Sequence, residues 1–288
     1  MPQQLVWLIT GTSYGLGRDM TLAALRRGDR VIATARARSF DKLADLKAQG
    51  ADVLELDVTA PLETLHEVAR KAVAIHGRVD VVVNNAGYIE TGALEEMTPE
   101  ETLDQFKTNV FGPLNVNRAF LPYMRARKTG TIVWIGSVGG WRGSAGFGLY
   151  SSTKYAVRSL AESLHKEIAP LGLRSLCFEL GYFRTAFLAA GHRGAEKARI
   201  DDYREISEKI IPGLASRNGK QPGDPKKGVE VMIDVVRGEG VAAGRPTPVA
   251  IGLGSDYYRD VKSILEGKLQ ELEEWKDVTT STDLPPDV

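Results

Sequence analysis

The order of apolar runs and helix-like stretches predicts a doubly wound α/β fold, a parallel sheet covered by helices on both faces. Three observations lead there. Short, uninterrupted apolar runs are bounded by turn residues, as in strands buried on both faces. A helix-like stretch follows each run, which favours right-handed βαβ units. The chain shows no short internal repeat and no low-complexity tract, and its 288 residues fit one large α/β domain.

The elements follow in order. LVWLIT (5–10) is a buried strand candidate that leads through a glycine-rich turn into the helical LGRDMTLAALRRG. RVIATAR (30–36) is a second strand, SFDKLADLKAQG a helix, and DVLELDV (52–58) a third strand. LETLHEVARKAVAIHG precedes VDVVVNNAG (79–87), and a long helix-like segment from Thr98 to Arg127 precedes GTIVWIGS (130–137). The helical segment Leu149 to Leu171 leads into LRSLCFEL (173–180). Two regions break the alternation. Residues 182–225 are rich in charge and glycine and read as an excursion with short helices, expected to act as a substrate lid. A helix is expected around 226–238. The tail 255–288 reads as an amphipathic helix with a loose polar end, appended to a domain spanning 1–254. Its Tyr258, Val261, Leu265, Leu269, Leu272 and Trp275 recur near helical spacing, either to pack on the domain's own surface or to meet another subunit.

Composition excludes several function classes. Basic and acidic side chains balance at 37 each, so no electrostatic footprint for nucleic acid or an anionic membrane is present. The single cysteine, Cys177, excludes an intrachain disulfide framework, fits a reducing compartment and reads as a buried small side chain. The four histidines have no metal-ligand spacing, and no metal site is expected. LVWLI is too short for a signal peptide or membrane span, so a soluble, cytoplasmic protein is expected.

TGTSYGLG (10–17) joins a strand to a helix. Gly11 can support the tight turn, Gly15 a close backbone approach and Gly17 helix–strand packing, while the helix end favours a phosphate. The second strand ends with Arg36 and Arg38 and has no acid before Asp41. An acid there would bind the ribose of NAD, whereas a guanidinium fork suits the 2′-phosphate of NADP. NADP is therefore favoured over NAD.

Together TGTSYGLG, NNAG (84–87), Asn109 in TNVFG, Ser137 in IGSVGG and YSSTK (150–154) resemble the short-chain dehydrogenase/reductase family, in order from about residue 5 to 185. The resemblance implies a single-domain Rossmann-type α/β/α fold with a seven-stranded parallel sheet, extended here by the C-terminal helix. It implies a catalytic tetrad of Asn109, Ser137, Tyr150 and Lys154, with the backbone of Asn109 helping to hold a water that leads from Lys154 to solvent. It assigns cofactor contacts to Gly11, Ser13, Tyr14, Gly15, Leu16, Gly17, Arg36, Asp57, Val58, Asn85, Ala86, Gly87, Tyr150, Lys154, Gly181, Phe183 and Thr185. Leu180 stands where the family commonly has proline, removing a rigid φ before Gly181. A homodimer or homotetramer through the long helices is also implied.

The chemistry expected is hydride transfer between the cofactor and a carbonyl or alcohol carbon, with Tyr150 giving or taking the oxygen's proton. Lys154, one turn later, is expected to lower the pKa of that phenol. Ser137 is placed to donate to the substrate oxygen. Ser137, Trp141, Phe147, Tyr150 and Tyr182 are expected to contact substrate, with Tyr88 and Phe187 as further wall candidates. The aromatic wall points to a hydrophobic carbonyl or alcohol: aromatic, polyketide, terpenoid or steroid-like. A cofactor-binding sensor without catalysis and an isomerase or cyclase on the same fold are the alternatives.

Overall fold

A computed structural model of the chain describes residues 3–188 and 199–284. Seven strands form one parallel sheet in the order β3-β2-β1-β4-β5-β6-β7. They are β1 (Val6–Ile9), β2 (Arg30–Ala35), β3 (Asp52–Glu55), β4 (Val81–Asn84), β5 (Gly130–Ser137), β6 (Leu173–Leu180) and β7 (Ala250–Leu253). Side chains alternate between the faces with period two. Leu8, Val82, Ile132 and Cys177 join one apolar layer, whereas Trp7, Val81, Val83, Val133 and Phe178 join the other. Both faces of the sheet centre are covered, so β1 (VWLI) is wholly apolar and β4 has three valines before Asn84.

Ten α-helices accompany the sheet among the described residues, the last of them standing clear of it: α1 (Gly15–Arg26), α2 (Ala44–Ala48), α3 (Leu62–His76), α4 (Pro99–Phe106), α5 (Gly112–Arg127), α6 (Gly148–Ile168), α7 (Arg204–Arg217), α8 (Pro225–Arg237), α9 (Ser255–Glu274) and α10 (Lys276–Thr280). The first layer is completed by Leu65 and Ala69 of α3, Val116 and Phe120 of α5, and Val157 and Ala161 of α6. The second is completed by Met20 and Ala23 of α1 with Val229, Met232 and Ile233 of α8. The chain moves outward from β1 through β2 to β3 and then returns to β4 on the other side of β1. That reversal opens a crevice at the carboxyl ends of β1 and β4, where ligands of open α/β sheets bind.

Three local features differ from the sequence reading or decide between its alternatives. The segment 37–43 forms tight 3₁₀ turns and only Ala44–Ala48 is α-helical. The long segment before β5 is divided by a π-helical turn at Lys107–Phe111, with Asn109 inside it. Of the apolar tail positions, only Val261 is buried; Tyr258, Leu265, Leu269, Leu272 and Trp275 are exposed.

Candidate active site

The first functional element is the turn after β1. Gly11 has φ +70, and a Cβ there would lie 2.9 Å from the Cα of Ala86, so the backbones of the two turns approach without room for a side chain. The side chain of Asn85 closes this approach by donating from Nδ2 to the carbonyls of Thr10 (2.8 Å) and Gly11 (3.0 Å). Thr10 Oγ1 accepts from the backbone N–H groups of Asn85 and Ala86, both at 3.0 Å. Gly17 packs beneath, where a Cβ would collide with Asn85 Nδ2. Helix α1 therefore begins at the crevice with no side-chain N-cap bond and no acid in its first turn. Its leading N–H groups suit an anion.

A cavity of about 920 Å³ extends from this turn across the sheet. Gly11, Ser13, Tyr14, Gly15, Leu16, Arg36, Asp57, Val58, Asn85, Ala86 and Gly87 line one end. Ser137, Phe147, Tyr150, Lys154, Gly181, Tyr182 and Phe183 line the other, while Thr185 lines the cavity beside Gly15. The exposed guanidinium groups of Arg36 and Arg38 both border the first end. Asp57 accepts from the N–H (2.9 Å) and hydroxyl (2.8 Å) of Thr59, which fixes the turn after β3.

At the second end, Ser137 closes β5 and its Oγ accepts from Gly139 N at 3.0 Å. Tyr150 and Lys154 rise from the first turns of α6, with Lys154 Nζ 5.6 Å from the tyrosine ring centroid. Burial pushes the Tyr150 phenol up to about 12, opposed by its hydrogen bond with Ser137. The expected lowering of that phenol by Lys154 is not met in this geometry: the ammonium donates instead to Ile135 O at 2.8 Å. Burial draws Lys154 itself down to about 8, because the charged form loses hydration. The Tyr150 phenol is thus protonated at neutral pH, beside an ammonium whose own pKa is drawn down to about 8.

Three expected site residues do not line the cavity. Gly17 supports the turn from below. Asn109 is buried, and its side chain accepts from Tyr88 N (3.2 Å) and donates to Tyr88 O (2.9 Å) and Thr153 Oγ1 (3.2 Å). It joins the strand-end turn to the helix bearing Tyr150 and Lys154. The π-helical turn presents it there, and such bulges recur at functional sites. Trp141 faces away from the expected substrate wall: its Nε1 donates to Glu179 Oε2 at 2.9 Å, and Arg158 stacks on its ring at 3.5 Å.

A family model described as short chain dehydrogenase matches residues 5–195. The chain belongs to the short-chain dehydrogenase family. It is 41% identical over 192 residues to oxidoreductase claN of Passalora fulva, covering 66% of this chain and 87% of that protein. A solved short-chain dehydrogenase from Streptomyces avermitilis is 38% identical, with a TM-score of 0.85 over 99% of this chain and 100% of that one. An alcohol dehydrogenase from Thermococcus sibiricus, solved in complex with 5-hydroxy-NADP, is 26% identical with a TM-score of 0.67, covering 88% of this chain and 98% of that one. This short-chain dehydrogenase is an NAD(P)-dependent oxidoreductase of carbonyl and alcohol groups.

Other residues of this short-chain dehydrogenase shape the site without a sequence signal. The excursion after β6 is tied at its base: Arg184 N donates to Gly223 O at 2.9 Å and Gly223 N to Tyr182 O at 3.0 Å. Helix α7 then lies over the cavity, with Leu214 and Arg217 on its lining. Ile210 and Leu214 pack against Phe147 and Phe187, and the ring of Phe187 lies 6.1 Å from that of Tyr150. The part of the expected lid at 189–198 lies outside the described residues. Asp256, in the first turn of α9, accepts from Tyr182 N at 2.7 Å. That bond holds the turn after Leu180, where a proline's rigid φ is missing. Its partners are 74 positions apart, so no local pattern announces it.

Proposed function

We propose that this enzyme is an NADP-dependent reductase of hydrophobic ketones or aldehydes, with Tyr150 as the proton donor. The observation behind the reading is the single cavity that joins the glycine turn and the Arg36/Arg38 pair to Ser137, Tyr150 and Lys154. The residues fit a dinucleotide: the close approach at Gly11 leaves no side chain over the turn, and α1 begins there with no side-chain cap bond and no acid in its first turn. Gly11 to Leu16 and Thr185 would hold its phosphates, Arg36 with Arg38 its 2′-phosphate, Asp57 and Val58 its adenine side, and Asn85 to Gly87, Lys154, Gly181 and Phe183 its nicotinamide half. The complex of the Thermococcus relative with an NADP derivative supports the same choice.

When bound, the reduced nicotinamide supplies a hydride to the carbonyl carbon. Tyr150 gives its phenolic proton to the carbonyl oxygen as charge develops there, and Ser137 donates a hydrogen bond to the same oxygen. Lys154 replaces the proton on the tyrosine from the solvent side. Asn109 keeps α6 in register with the Gly87–Tyr88 turn throughout. The wall of Phe147, Phe187, Tyr182 and Leu214 excludes water and favours an aromatic or polycyclic apolar substrate.

Purified enzyme mixed with NADPH and a panel of aromatic and polycyclic ketones tests this by loss of nicotinamide absorbance. Turnover is expected to rise with the apolar area of the ketone. Tight NADPH binding without consumption by any carbonyl would replace the reading with that of a nucleotide sensor.

A further inference from the structure

Helix α9 leaves the body of the protein soon after Val261, and every described residue from 265 to 284 is exposed. Most helical stability in proteins comes from packing an apolar face rather than from intrinsic propensity. This segment has such a face and packs it against nothing among the described residues. Tyr258, Val261, Leu265, Leu269, Leu272 and Trp275 recur every three or four positions along one stripe, and all but Val261 are exposed. Leu269 is 61% and Trp275 60% exposed. A continuous stripe of this kind marks an interaction surface, whereas single scattered leucines would not.

We propose that α9 is a dimerisation arm whose partner is the same helix of a second copy, running antiparallel. Charge selects the direction. Between residues 259 and 268 the helix has three bases and two acids, and between 271 and 277 it has four acids and one base. Antiparallel pairing sets the net-positive half of each helix beside the net-negative half of the other, twice over. Parallel pairing would set like beside like. With the two-fold axis near Lys268, Leu265 faces Leu272 of the partner subunit.

Sedimentation equilibrium of the full chain is compared with that of the double variant Leu269→Glu, Leu272→Glu. Both positions are exposed and remote from the cavity, so the thermal transition and NADPH binding are expected to stay unchanged. The wild-type assembly is expected to lose half its mass in the variant. An unchanged mass, or a wild-type monomer, overturns the proposal, because oligomers built through α5 and α6 would survive both substitutions. Cysteine mapping then tests direction, since the native Cys177 is buried and cannot compete. Under mild oxidation Lys268→Cys is expected to form an intermolecular disulfide. Lys262→Cys is not, since an antiparallel pair would hold the two copies of that position about 18 Å apart at 1.5 Å rise per residue. Equal cross-linking at both positions overturns the antiparallel arrangement.

Discussion

The two ends of the cavity are built by different means. The end near α1 is made of backbone and short polar side chains fixed by strand ends: Thr10, Asn85 and Gly11 are bound to one another within about 3 Å. The end beyond Tyr150 is closed by side chains from a separate helix, with Leu214 and Ile210 resting on Phe147 and Phe187. A hydrogen-bonded frame of buried backbone admits few alternatives, and so it can recognise a ligand whose shape does not vary. A wall of apolar side chains on an excursion admits many, and so it can be reshaped for a new substrate while the chemistry stays in place. Tyr150 and Lys154 stand between the two, on a helix anchored to the sheet.

The largest effect should follow from breaking the point where both ends meet. Tyr150→Phe removes the proton donor while keeping the ring beside Phe187, and turnover is expected to fall by about 10²–10⁴-fold. NADPH affinity measured by fluorescence should stay near wild type. Retained turnover would remove Tyr150 from the mechanism. A pH profile sharpens the same point. Lys154 is drawn down to about 8 and Tyr150 pushed up to about 12, so the phenol stays protonated while the ammonium is lost first. Carbonyl reduction is expected to fall by about tenfold between pH 8 and 9.5 as that charge disappears. Stability moves the other way. The folded form holds fewer protons on Lys154 than the unfolded chain between about 8 and the ordinary 10.5, so this group's contribution becomes more favourable as pH rises through that window. Replacing Lys154 with Met should abolish both trends; persistence of either assigns it to another group.

Next comes the frame. Arg36→Asp removes a guanidinium from the cavity's first end and supplies an acid suited to a ribose. The NADPH/NADH ratio of kcat/KM is expected to drop by about tenfold to a hundredfold, the worth of a charge-assisted hydrogen bond. An unchanged ratio would leave the choice to Arg38 alone. Because the backbone bonds around Gly11 and Asn85 are untouched, KM for the ketone should hardly move.

How much of this was readable in advance follows the same division. β1 to β6 announced themselves because a strand of a sheet covered on both faces reads as a predominantly apolar run. Gly11, Ser137, Tyr150 and Lys154 were legible because each lies in a short contiguous motif. Asn109 was legible only as an anomaly, an asparagine in a helical stretch; the π-helical turn that aims it at Tyr88 and Thr153 has no sequence signature of its own. β7 was hidden by its brevity, with four half-buried residues. Asp256 was invisible for a different reason, since its role depends on a turn 74 positions away.

Asp256 tests whether the apolar end is as adaptable as its construction suggests. Asp256→Ala leaves Tyr182 N without its acceptor, costing about 1–3 kcal/mol at that turn. The turn bearing Tyr182, Phe183 and Thr185 should loosen. A rise of about tenfold in KM for the ketone is expected, with a smaller change in kcat and an unchanged NADPH/NADH ratio. A proline at position 180 should recover part of the loss by restoring a fixed φ, provided the turn is what loosened. Loss of kcat with KM constant would mean that Asp256 acts on Tyr150 and not on the substrate wall.

The smallest effect on turnover belongs to Trp141, and it discriminates most sharply between the sequence reading and the structure. A tryptophan four residues after Ser137 reads as a substrate contact. Its indole N–H instead serves Glu179, a buried carboxylate that also accepts the hydroxyl of Tyr257 and lies 3.4 Å from Arg158. Trp141→Phe keeps most of the ring that Arg158 covers and removes one donor from that carboxylate. Stability should fall by about 1–3 kcal/mol, the cost of leaving a buried acceptor short of a partner. KM for an aromatic ketone should change by less than about twofold, because no atom of the indole borders the cavity. If instead KM rises as much as in Asp256→Ala while the thermal midpoint holds, Trp141 belongs to the substrate wall, and the boundary between adaptable wall and fixed frame must be redrawn through the loop after β5.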